Sequence, residues 1–139
     1  MRISRLAGAL IVLLGYLAGP GPASATGCWV PGTHVSIQHA LNDRVCTAVV
    51  LEHRVYPESI EIERGGIRIA GPGSSTPAVI QGHVALRDTD GVVDLTDLRI
   101  MNGCQSEALS VAKGSRIEGH NVQVSHETGL PCPPSINIF

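Results

Sequence analysis

With 139 residues and a formal charge of −2, the chain has room for one domain. Its mildly acidic balance offers no basic stripe to meet phosphates and no basic amphipathic segment, which argues against nucleic acid and membrane surfaces as partners. Aromatic residues make up 3% of it, fewer than a conventional globular core uses and compatible with a narrow interior filled by Val, Ile, Leu and Ala.

The first residues read as an export signal rather than as fold. Arg2 and Arg5 give a positive start, and residues 6–18 are an uncharged apolar run. Residues 19–22 break any helix with two Gly-Pro steps, and Ala23-Ser24-Ala25 has the small-x-small form of a cleavage site. The apolar run of thirteen residues falls short of the ~20 needed to cross a bilayer. Residues 1–25 are therefore expected to be a signal peptide, leaving no transmembrane helix and a secreted, periplasmic or cell-surface protein. A minor alternative is lipid anchoring at Cys28, since Ala25-Thr26-Gly27-Cys28 has a faint lipobox form. The usual branched apolar residue three places before the cysteine is missing.

Residues 26–46 are expected to form an N-terminal segment with a capping helix. Ile37, Ala40 and Leu41 fall on one face of a short amphipathic helix over residues 33–43, with Thr33 or Ser36 to cap it. Such a helix is too short to stand alone and suits the exposed end of a stack.

From residue 47 to 125 the chain repeats. Short runs with apolar residues at alternate positions (Ile60 and Ile62, Ile67 and Ile69, Ala78 and Ile80) are separated by Gly, Asn or Asp corners. The same columns return some 20 to 26 residues later. Ile60 and Ile62 answer to Val84 and Leu86 and then to Leu109 and Val111. Ile67 and Ile69 answer to Val93 and Leu95, then to Ser115 and Ile117. Ala78 and Ile80 answer to Leu98 and Ile100, then to Val122 and Val124. Three strands per coil and three to four coils emerge, an all-β parallel β-helix stacked in register. Its outward column through the second strand is expected to read Arg68, Asp94, Arg116, a ladder of alternating charge. The tail, residues 126–139, either caps the last coil or hangs free.

Four cysteines (Cys28, Cys46, Cys104, Cys132) all lie beyond the signal, and an even number in an oxidising compartment reads as two disulfides. The sequence admits three pairings. Cys28–Cys46 and Cys104–Cys132 are preferred because each staples one end of the stack. No Cys-x-x-Cys or clustered His spacing supports a metal, and no cofactor is expected. The six histidines, with His120 and His126 nearest one another, read as exposed corner residues. Asp88 and Asp90 lack the remainder of a calcium loop, and Ser110 and Ser125 sit in no nucleophile elbow.

Several stretches together resemble right-handed parallel β-helix proteins of the pectin-lyase-like superfamily. They are Ser36-Ile37-Gln38-His39-Ala40-Leu41, Val49-Val50-Leu51, Val55-Tyr56-Pro57-Glu58-Ser59-Ile60-Glu61-Ile62, Ile67-Arg68-Ile69-Ala70-Gly71-Pro72-Gly73, Val79-Ile80-Gln81-Gly82 and Leu98-Arg99-Ile100-Met101-Asn102-Gly103. The resemblance implies a right-handed coil and a polysaccharide partner. In members that process polyuronides it implies carboxylates and an arginine on outward strand faces, where Arg68, Asp94, Arg116 and Glu118 stand, with Asp97 at a corner. The family's paired aspartates one coil apart and its supporting glutamines are missing here. The expected function is therefore an exported binding or structural module, with Arg68, Asp94 and Arg116 as ligand-binding residues and no catalytic residue. The alternative is a polysaccharide lyase, esterase or epimerase using Asp94. A third reading is a shortened copy of a longer β-helix protein. Ligand identity and oligomeric state are not encoded legibly.

Overall fold

The computed structural model describes residues 26–103, 107–126 and 136–139. Eleven strands and one helix follow one another as β1 (Gly27–Val30), α1 (Ile37–Asn42), β2 (Ala48–Leu51), β3 (Val55–Tyr56), β4 (Ile60–Ile62), β5 (Ile67–Ala70), β6 (Ala78–Gln81), β7 (Val84–Leu86), β8 (Val92–Asn102), β9 (Leu109–Val111), β10 (Arg116–His126) and β11 (Ile136–Ile138). Among the described residues these strands pair in parallel, between successive coils. The result is a β-solenoid of about four turns, the parallel β-helix that the repeat implies.

Each coil has three faces. The first is β1–β2–β5 continued by the first half of β8 and of β10, and the second is β3–β6 continued by their second halves. The third is the sheet β4–β7–β9–β11. The two long strands turn from the first face to the second at Asp97 and Asn121, whose φ values are 52° and 54°. Both residues are of the short polar kind that tolerates the left-handed region, and Asn121 Nδ2 donates to Asp97 Oδ1 at 2.8 Å. Alternate residues point in, so Val49, Ile69, Leu95, Ile80, Ile100, Ile62 and Leu86 are all at most 1% exposed.

The register agrees with the sequence-based columns everywhere except in the first half of β10. There Ile117 stands over Val93 and Gly119 over Leu95, two residues away from the expected match of Leu95 with Ile117. The reason is the corner. Asp97 and Asn121 have the same left-handed backbone 24 residues apart, and counting back from each places Leu95 and Gly119 at the same position. Matching apolar to apolar overrode that count. As a consequence Arg116 pairs with Val92, and Glu118, not Arg116, faces Asp94.

The first coil is closed by α1. The helix is shorter than expected, with Ser36 as its N-cap accepting from the His39 amide, while Thr33 bonds to Trp29 instead. Three side chains fix the helix to the stack. The Glu58 carboxylate accepts from the Ile37 and Gln38 amides at 3.0 and 3.2 Å. The Gln38 amide accepts from Glu61 N at 2.7 Å and donates to Glu61 O at 3.2 Å, taking the place of a neighbouring strand on the edge of β4. Arg64 donates to the carbonyls of Leu41, Asp43 and Cys46. The strand ladder begins one element earlier than the helix, because β1 pairs with β2. At the other end the tail adds β11 to β9. A disulfide joins Cys28 to Cys46; the expected Cys104–Cys132 partner and the signal peptide fall outside the described residues.

Candidate ligand-binding face

The outward residues of the first face line up by register into two columns. One runs Gly27, Ala48, Arg68, Asp94, Glu118, and the other runs Trp29, Val50, Ala70, Thr96, His120. Rungs of a parallel sheet stand ~4.8 Å apart, so each column covers roughly 19 Å. Arg68 and Asp94 lie side by side as expected, with Nε 3.5 Å from Oδ2. Thr96 donates to the other carboxylate oxygen at 3.0 Å, so the Asp94 carboxylate is oriented by two neighbours. Arg68 remains more than half exposed, which limits the pair's contribution to stability to well under ~1 kcal/mol. It leaves the guanidinium available for a second partner, since its five donors form a fork suited to carboxylates.

Arg116 is on the same face but one column position away, over Val92. The face thus carries two arginines flanking two carboxylates, Asp94 and Glu118, on adjacent rungs. This carboxylate pair is absent from the sequence-derived ladder because it exists only in the corrected register. On the adjoining second face Arg99 Nε donates to Gln123 Oε1 at 3.1 Å, one coil up.

Trp29 was not legible as a site residue. It is the one tryptophan of the chain, and it is 54% exposed. Its backbone is held by the Thr33 hydroxyl and by the Thr33 and His34 amides, which donate to its carbonyl at 2.8 and 3.0 Å. An indole at the head of a column of Val50, Ala70 and Thr96 has no large neighbour on its own column to cover it. The signal available beforehand was Trp29 immediately after a cysteine and two residues before a turn, which does not distinguish a surface platform from a core residue.

The third face carries a separate polar groove of about 520 Å³ beside α1, lined by Gln38, Asn42, Glu61, His83, Ala85 and Arg87 among others. Arg87 and Glu61 form an ion pair across it. His83 Nε2 lies 2.8 Å from Ser110 Oγ, a contact between two residues that the sequence leaves unconnected. The pair reads as a bridge between coils. His120 and His126 are not brought together: His120 stands opposite Thr96 on the first face and His126 opposite Asn102 on the second. Among the described residues no helix is long and apolar enough to cross a membrane.

No protein-family model, curated protein or solved structure matches the chain.

Proposed function

We propose that the protein is an exported, non-catalytic binding module that lays an extended acidic polysaccharide along its first face. The observation that carries this reading is Trp29, exposed at the head of a smooth column and parallel to a column containing Arg68. A sugar ring stacks its C–H face on the indole, and Arg68 and Arg116 receive the carboxylates of uronate residues farther along. Asp94 and Thr96 hold the Arg68 guanidinium in place and accept or donate to hydroxyls. A flat parallel stack suits a polymer because its outward side chains repeat at a fixed spacing. Export after loss of residues 1–25 and kinship with the pectin-lyase-like superfamily belong to the same proposal, and rest on the residues quoted above.

The test is titration of the protein with pectate, alginate and neutral glycans, followed by titration calorimetry for every variant and by Trp29 fluorescence where the indole is present. Acidic polymers should bind and shift the emission. Trp29→Ala should weaken binding by about tenfold or more, equivalent to the ~1.4 kcal/mol expected of an aromatic anchor. Arg68→Ala should weaken it less and remove part of its salt dependence. Unchanged affinity in Trp29→Ala would refute the reading.

A second reading, a lyase, esterase or epimerase, is favoured by one observation: Asp94 and Glu118 are neighbours on adjacent rungs. Against it, the pair stands on an open face, whereas transition-state stabilisation relies on preorganised groups in a water-restricted site. Turnover of pectate, alginate or acetylated glycans that Asp94→Asn abolishes would establish the enzyme.

A further inference from the structure

At the entry end, behind the Trp29 backbone, a second cluster plays no part in the binding face. Cys28 on β1 and Cys46 ahead of β2 are 5% and 0% exposed. Their sulfurs and a nitrogen of His34 all lie within 4.8 Å of one another. The His34 side chain is 11% exposed, and its Nε2 is 3.1 Å from Asp43 Oδ2 and 3.6 Å from Cys46 Sγ.

The other ring nitrogen reveals what Nε2 is doing. Thr33 Oγ1 donates its hydrogen to the Trp29 carbonyl at 3.2 Å and accepts from the Trp29 amide at 2.9 Å. It also lies 2.9 Å from His34 Nδ1. The Thr33 hydroxyl thus fixes the ring through Nδ1 and turns Nε2 toward the Asp43 carboxylate and the Cys46 sulfur.

We propose that reduction of the Cys28–Cys46 disulfide turns this cluster into a site for a thiophilic divalent cation, zinc foremost, held by both sulfurs and His34 Nε2 with water as fourth donor. Two thiolates and an imidazole, completed by water, are a donor set that zinc takes tetrahedrally. The reductant is a dithiol or a phosphine. A dithiol gives two electrons and two hydrogens to the sulfurs and closes to its own disulfide; a phosphine takes up oxygen from water and leaves the same two thiols. On metal entry both thiols release their protons to solvent, and His34 ligates as the neutral imidazole. The Thr33 contact at Nδ1 then fixes the ring that ligates, the usual arrangement around a metal-bound histidine. A disulfide sulfur lacks the thiolate that binds metal, so the redox state of one bond gates the site. The proposal is independent of any polysaccharide.

The test uses the full chain with Cys104→Ser and Cys132→Ser, so that Cys28 and Cys46 are its only thiols. Reduced anaerobically with a phosphine, it should bind one Co²⁺ per chain with thiolate-to-cobalt charge-transfer absorption and a change in Trp29 emission. Zn²⁺ should displace the cobalt, and the oxidised protein should show none of this. His34→Ala should lower zinc affinity by more than the roughly 10- to 100-fold typical of losing a supporting residue, whereas His53→Ala, at the Pro77 carbonyl, should leave it unchanged. Three results would overturn the proposal: a reduced, folded chain without cobalt–thiolate absorption, equal zinc affinity in His34→Ala, or a reduced chain that unfolds and is not refolded by zinc.

Discussion

Leu95 and Leu98 lie on the same strand, either side of the Asp97 corner, and are 1% and 0% exposed. Truncating either to alanine removes the same atoms from equally buried positions, yet the cost should differ. Leu98 is sandwiched between Ala78 below and Val122 above, whereas Leu95 has Ile69 below and Gly119 above. A cavity at 98 is sealed by side chains on both sides and cannot collapse. A cavity at 95 opens toward a glycine with no side chain, where neighbours can relax and water can enter. Buried Leu→Ala changes cost about 2–5 kcal/mol, the spread reflecting how far the site collapses. Leu98→Ala should therefore fall near about 3–5 kcal/mol and Leu95→Ala near about 2–3 kcal/mol on that scale. Urea denaturation followed by far-UV circular dichroism, with Trp29 fluorescence alongside because stacked repeats need not unfold together, gives both values. Equal costs, or a larger one at Leu95, would mean that a side chain such as Ile117 seals that column, and would refute the observed register.

Gly82→Ala should destabilise by about 1–3 kcal/mol, because its Cβ would overlap the Glu58 carbonyl of the neighbouring coil and backbone must move. Thermal melting of the variant checks this. Glu58→Ala leaves two helix amides without their acceptor and should cost about 1–2 kcal/mol by the same measurement, as losing a helix cap does. Tyr56 donates to the Val30 carbonyl at 2.8 Å, and burial, ahead of its other influences, raises its phenol above the ordinary value. The unfolded chain therefore ionises first, so the tyrosine's contribution is complete below about pH 10, the ordinary tyrosine value, and is lost as pH rises through the higher folded value. Tyr56→Phe should lower stability at neutral pH by about 0.5–1.5 kcal/mol for the lost hydrogen bond and flatten the alkaline limb of a pH–stability profile.

Most of the stack was legible because its two requirements, alternation and corner residues, are local. Ile60-Glu61-Ile62 and Ile67-Arg68-Ile69 announce an inside and an outside without reference to anything else. Where the two signals competed, at residues 116–120, apolar likeness misled and the corner geometry of Asp97 and Asn121 was the better guide. A glycine in an inward column cannot be found by matching hydrophobicity. That single slip of two residues hid the neighbouring carboxylates Asp94 and Glu118. The remaining unread features were relations between distant side chains. Gln38 imitating a strand on β4, His83 beside Ser110, and His34 set between Asp43 and Cys46 depend on which atoms the coils bring together. Trp29 was visible as a residue but not as a surface, since the β1–β2 pairing that places it on the first face begins at Gly27, ahead of the recognisable repeat.

The matched corners at Asp97 and Asn121, one coil apart, make the molecule translationally modular. Successive turns at that end differ in side chains but share one backbone step. A duplicate of one coil inserted at such a corner would meet the same hydrogen-bonding partners below and present the same ones above. Its effect would be additive: the outward columns would lengthen by one rung of ~4.8 Å, with the capping helix and its disulfide untouched at the far end. The length of the outward face is thus a property set by coil number, adjustable by whole-repeat gain or loss without redesign of any contact.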